Sequence, residues 1–199
     1  MIPETIQKFI EVFSKLPSIG PRLATRLGFY LASLDKNSLA EIEKAVSGFK
    51  FLNRCERCFF IKEKNTKYCA ICSNPKRNNQ IIAIVEKETD LLSIERTKSF
   101  NGHYLIIGEL PQRGKLETVQ KLRLQNLKNR IKEEFNGKIK EIIIAVNPNA
   151  FGDLIASIIK EEFKDLSEKI TRLSRGIPTG GEIEFADEET LRQALERRN

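Results

Sequence analysis

All four cysteines of the chain fall in one short stretch, as Cys55-x2-Cys58 and Cys69-x2-Cys72 with ten residues between the pairs. A CxxC pair forms a tight turn that presents two thiolates to one ion, and a loop of this length brings two such turns together tetrahedrally. The spacing therefore predicts one Zn²⁺ held by Cys55, Cys58, Cys69 and Cys72. Four thiolates fill the coordination shell and leave no position for a reactive water, so such a zinc is structural. Two disulfides are the competing arrangement. The opening segment MIPETIQKFIEVF carries Glu4 and Glu11, which do not suit a secretory leader. Disulfides are rare in the cytosol, so spacing and compartment together favour zinc. The only histidine, His103, lies at a strand start far along the chain from the cysteines and is expected to pack rather than to ligate.

The 199 residues are 40% hydrophobic and 31% charged, enough for one large domain or two to three small ones. The longest apolar runs, such as Ile81-Ile82-Ala83-Ile84-Val85, are strand length, whereas a membrane span needs about 20 apolar residues. A soluble, cytoplasmic protein is expected. Basic residues outnumber acidic ones by seven to five over residues 1–50 and by seven to two over 51–80, and the two balance over 81–199. A basic excess confined to the first 80 residues suggests a polyanionic partner, with nucleic acid the default. A solubilising surface is the plainer explanation. Arg54, Arg57, Lys62, Lys64 and Lys67 would also offset a zinc–tetrathiolate centre.

Apolar residues at helical spacing predict three helices in the first 50 residues. Their stripes are Ile6, Phe9, Ile10 and Phe13; then Leu23, Leu27, Tyr30, Leu31 and Leu34; then Leu39, Ile42, Val46 and Phe49. From residue 80 the pattern alternates. Strands are expected at Gln80–Glu86, His103–Ile107, Glu141–Asn147 and Lys169–Leu173. Helices are expected at Thr89–Lys98, Lys115–Phe135, Ala150–Phe163 and Asp187–Arg197, the last with Asp187 as N-cap. Such alternation implies a mostly parallel sheet with flanking helices. The expected fold class is a multidomain α/β protein. It comprises a helical domain over 1–52, a four-cysteine zinc module over 53–79, an α/β domain over 80–174, and a C-terminal loop and helix over 175–199.

Two further constellations carry chemistry. The segment Leu16-Pro17-Ser18-Ile19-Gly20-Pro21-Arg22 breaks one helix and starts another, leaving first-turn backbone N–H groups for a phosphate. Ile19, Gly20, Arg22 and Arg26 are the candidate DNA contacts. The segment resembles the helix-hairpin-helix motif of non-specific DNA binders, with Ser18 where a glycine is usual. An ordinary connection with solvated arginines is the alternative. In the α/β part, Glu86, Asp90 and Asp153 follow strand ends, where carboxylates converge at one rim and can hold Mg²⁺. This resembles a Toprim domain. Against a metal site, Asp90 and Asp153 sit in first helical turns, which favour any acid. The Asp-x-Asp pair of catalytic Toprim enzymes is also absent, which argues against a two-metal site.

This order of motifs resembles the RecR family of bacterial recombination mediators across essentially the whole chain. Its most specific segment is Ser174-Arg-Gly-Ile-Pro-Thr-Gly-Gly-Glu-Ile-Glu-Phe-Ala-Asp-Glu-Glu-Thr-Leu191, and Ile-Glu-Arg-Thr97 matches too. The sequence departs from the family at Phe151, where a glutamate is usual, at Asp153, which replaces a second glutamate, and in a shortened loop Glu-Leu-Pro-Gln-Arg-Gly114. The resemblance implies a cytoplasmic, nucleoid-associated, non-enzymatic DNA-repair protein. It would bind DNA, act with RecO and in some bacteria RecF, help load RecA onto single-stranded DNA, and assemble into dimers or ring tetramers. Two other readings stay open at this point: a Mg²⁺-dependent Toprim nuclease or strand-transfer enzyme using Glu86, Asp90 and Asp153, and a zinc-ribbon RNA- or ribosome-binding protein.

Overall fold

A computed structural model describes residues 2–111, 115–174, 176–177 and 179–196. Arg175 and Pro178 of the C-terminal signature, the loop residues Gln112–Gly114 and the expected helix end at Arg197 lie outside the described residues. The chain divides into two compact units, residues 1–52 and 53–199.

The first unit contains α1 (Glu4–Phe13), α2 (Pro21–Ser33) and α3 (Lys36–Gly48). Ile6, Phe9, Ile10 and Phe13 are all half-buried, as their spacing predicts, and the Phe9 and Phe13 rings stack 3.9 Å apart. The second stripe is rearranged. The buried residues of α2 are Ala24 and Gly28, while Leu23 and Tyr30 are exposed. Small residues win because α1 comes close: a Cβ on Gly28 would lie 3.2 Å from Phe9 Cδ1 and 3.3 Å from Ile6 Cγ2. The third stripe forms its helix, with Asp35 accepting from the backbone N–H of Asn37 and Ser38 as N-cap. Its apolar face is left open, however. Leu39, Ile42, Val46 and Phe49 are all exposed, Phe49 by 69%.

The second unit begins with a small hairpin of β1 (Leu52–Arg54) and β2 (Ile61–Glu63) around the cysteines. It continues through β3 (Asn78–Val85), α4 (Glu88–Arg96), β4 (Gly102–Ile106), α5 (Thr118–Glu134), β5 (Ile139–Ala145), α6 (Ala150–Phe163), β6 (Ser167–Arg172) and α7 (Glu188–Glu196). The expected elements all form, with ends shifted by a few residues. Positive backbone φ at Lys98 (56°) and Asn136 (54°) follows α4 and α5. The four strands make one parallel sheet in the order β4-β3-β5-β6. Alternation along β3 sends Ile82 and Ile84 to a core built with α5 and α6, and Ala83 and Val85 to a second core with Leu91 of α4. Burial on both faces explains the unbroken apolar run. Among the described residues no helix is long and apolar enough to cross a membrane.

The sheet order has two consequences for function. Successive strands are added on opposite sides of the β3–β5 pair, β4 beyond β3 and β6 beyond β5, so the loops after these neighbouring parallel strands diverge and leave a crevice at their C-terminal ends, the usual ligand position in such folds. In addition β4 is an edge strand whose free backbone groups need covering. The cysteine module does part of this: Ile106 N–H donates to Cys58 O at 2.9 Å. Arginines cap two edge carbonyls, Arg77 at Gly102 O (2.7 Å) and Arg123 at Ile106 O (3.0 Å).

Candidate functional sites

Each CxxC pair folds as a compact turn. Phe59 N–H donates to Cys55 O (2.9 Å) and Cys55 N–H to Phe60 O (2.8 Å), with Phe59 at a φ of +62°. In the second pair, Ser73 N–H donates to Cys69 O at 3.0 Å. Backbone amides point at sulfur: Cys69 N–H at Cys55 Sγ (3.4 Å) and Cys72 N–H at Cys69 Sγ (3.5 Å). All four cysteines are buried and unbridged, and their Sγ atoms lie within 4.8 Å of one another. Zn–S bonds of about 2.3 Å in a tetrahedron put sulfurs ~3.8 Å apart, so the cluster is the right size for zinc. Hydrogen bonding to Cys58 pulls the Cys55 thiol down, while hydrogen bonding to Cys55 pushes Cys58 and Cys72 up. Crowded sulfurs cannot all ionise without a cation among them. Among the described residues this is the one group of three or more His, Cys, Asp or Glu side chains placed to hold a metal.

The basic residues around the cluster differ in use. Arg57 stacks over Tyr68 (4.2 Å) and pairs with Glu134 of α5 (2.9 Å). Lys62 donates within its own loop to Thr66 O (2.5 Å), and Arg54 pairs with Glu88 (2.8 Å). Lys64 and Lys67 are exposed. His103 is buried, as expected of a packing residue, but its separation from the cysteine module exists only along the chain. It lies on β4, the strand the module covers, in the field of Arg130 and Arg57. Sequence inspection missed Arg130, which donates from α5 to Arg57 O at 3.0 Å.

The connection between α1 and α2 turns at Ser18, where the helix-hairpin-helix pattern would have a glycine. Ser18 adopts a φ of +63°, the left-handed conformation that glycine would take freely. Gly20 is the N-cap of α2 and offers no side-chain cap, and Pro21 occupies the first turn. The first bond across this turn runs from Ala24 N–H to Gly20 O (3.0 Å), leaving the Arg22 and Leu23 amides upstream of the intrahelical ladder. Ile19 is half-buried, and Arg22 and Arg26 are exposed one helical turn apart.

The three carboxylates reach the expected rim and then part. Glu86 is buried, and its Oε1 accepts the backbone N–H of Asn147 at 2.6 Å. Asp90 caps α4 by accepting the Lys87 N–H (2.9 Å). Asp153 pairs with Arg172 at 2.5 Å. Glu86 lines a cavity of about 650 Å³ with Lys87, Glu109 and Asn149, whereas Asp90 lines another of about 590 Å³ with Arg172 and Asp187. Among the described residues the three acids form no common metal-binding group, and each meets a backbone or cationic partner of its own. Phe151 is exposed at the start of α6.

The fold and its sites define a class: a Toprim-type α/β protein bearing a buried cysteine tetrad, with a helical unit at its N-terminus. Residues 80–174 match the family model described as Toprim domain, and residues 176–199 the one described as RecR, C-terminal. The proteins named Recombination protein RecR from two strains of Clostridium perfringens are each 40% identical over 199 residues, covering 98% of this chain and 96% of the relative. The chain belongs to the RecR family of recombination proteins.

Proposed function

We propose that this protein is a non-enzymatic, sequence-indifferent DNA-binding mediator of recombination and repair. In this reading it binds DNA as a ring-forming homo-oligomer and acts with RecO, and in some bacteria RecF, to help load RecA on single-stranded DNA. It would work in the cytoplasm at the nucleoid. The observation that carries the reading is the α2 start. A left-handed Ser18, a glycine N-cap and exposed Arg22 and Arg26 together present backbone donors and positive charge without any base-reading side chain. Zn²⁺ on Cys55, Cys58, Cys69 and Cys72 would hold the module that covers the β4 edge and would take no part in chemistry. The open apolar face of α3 supports self-association, since Leu39, Ile42, Val46 and Phe49 are the kind of surface a second copy covers. Engagement of Glu86, Asp90 and Asp153 by structural partners favours a mediator over a nuclease.

The test is the salt dependence of duplex binding. Each neutralised phosphate adds about −0.9 to the slope of log affinity against log salt. Arg22→Ala with Arg26→Ala should weaken all sequences alike and flatten the slope by up to about two units per engaged subunit. Unchanged affinity and slope would reduce the hairpin to a connection and shift attention to the basic cysteine module.

A further inference from the structure

Arg130 is an expensive residue to bury. It is 7% exposed on α5, its Nη1 donates to Arg57 O at 3.0 Å, and its Nε and Nη2 are buried without a hydrogen-bond partner. Glu134, one helical turn further along α5, is hydrogen-bonded to Arg57 instead. Removing a full charge from water costs several kcal/mol unless an opposite charge lies close. Arg57 adds a second cation, and its own Nε is also buried and unpartnered.

We propose that Arg130 is a positioning residue for the metal: its buried guanidinium is the countercharge of a zinc–tetrathiolate dianion and, through the Arg57 carbonyl, ties the first CxxC turn to α5. Arg57 sits inside that turn, between Cys55 and Cys58, so the clamp acts directly on the chain carrying two ligands. Arg130 offsets one of the two negative charges of zinc with four thiolates, while the charge of Arg57 is shared with Glu134. Burial holds the Arg130 guanidinium below its usual range, with Cys72, Glu134 and Cys58 acting against that and Arg57 adding to it. With neutral thiols and no metal, the buried Arg130 guanidinium would have to share the one carboxylate of Glu134 with the half-buried Arg57. Zinc binding and the docking of the module on β4 are thus coupled. Losing the ion loosens the contact that places Cys58 O on Ile106 N–H, and losing Arg130 loosens the ion. This rests on the zinc reading above.

The experiment starts with zinc content of the wild-type protein; no zinc there would refute the zinc reading itself, before Arg130 is in question. Zinc transfer to a chromophoric chelator is then timed in Arg130→Gln, Arg130→Lys and Leu127→Ala, with hydrogen exchange followed on β4. Outer partners of metal ligands are typically worth 10–100-fold in affinity. Arg130→Gln should release zinc at least tenfold faster and expose the Ile106 amide. Arg130→Lys should stay within a few-fold of wild type. Leu127→Ala, a packing loss on the same helix, should lower stability without speeding release. Release from Arg130→Gln within twofold of wild type, or equal acceleration in Leu127→Ala, overturns the proposal. Should the glutamine variant not fold, tenfold faster release from the lysine variant overturns it and slower release supports it.

Discussion

Replacing Gly152 by alanine probes how tightly the β5–α6 loop is held at the sheet rim. A Cβ there would fall 1.9 Å from Asn147 O and 3.1 Å from its carbonyl carbon, where contacts under 3.0 Å are essentially never tolerated. The backbone must open by about 1 Å or more, and it is not free to do so. Asn147 N–H is bound by the buried Glu86 carboxylate at 2.6 Å, Asn149 N–H donates to Asn147 O at 2.9 Å, and Gly152 N–H donates to Asn149 Oδ1 at 2.8 Å. Overpacking alone costs about 1–3 kcal/mol, and breaking a hydrogen bond to a charged group about 1.5–3 kcal/mol more. A total near 4 kcal/mol corresponds to a fall of roughly 8–16 °C in melting temperature for a unit of this size. Calorimetry on the full chain measures it. Gly48→Ala is the control, since a Cβ on Gly48 meets nothing within 4 Å. A Gly152→Ala protein melting within 2 °C of wild type, on the order of a 1 kcal/mol loss or less, would refute the steric argument.

Other outcomes follow from the same structure. Elemental analysis should find one zinc per chain, and Cys69→Ser should lose it and speed hydrogen exchange over residues 53–79, because binding and folding are linked; zinc-free protein purified without chelator ends that claim. With Mg²⁺ or Mn²⁺ the protein should neither cut nor relax DNA, and cleavage abolished by Glu86→Gln would restore the nuclease reading. His103 is pushed down to about 4 by burial and then by Arg130, Arg57 and Arg77, against Glu134. Below pH about 6.5 the unfolded chain takes up a proton that the folded one refuses, so stability declines as pH falls to about 4, by about 3 kcal/mol in all, and is level above that window. His103→Gln cannot titrate and should lose that part of the decline, read from urea midpoints at pH 7 and 4.5; equal acid losses in both proteins would show that His103 is not responsible.

Local rules made much of this protein legible in its sequence. Ligand spacing is a property of one short segment, and the cysteine tetrad assembles from it. Apolar alternation around residues 80–172 was enough for a parallel sheet with helices on both faces, because each element buries a face set by its own period. Asp187 caps α7 through a contact three residues long. What tertiary structure decided lies where partners come from elsewhere. Glu86 is taken by a backbone amide 61 residues away, and every residue except proline carries such an amide, so no sequence pattern marks it. Arg130 meets Arg57 across 73 residues only because the cysteine module covers the β4 edge beside α5. The stripe on α3 shows the same limit from the other side. Periodicity states that a helix has an apolar face, but whether its own chain covers that face depends on the packing of the whole unit, and here it stays open.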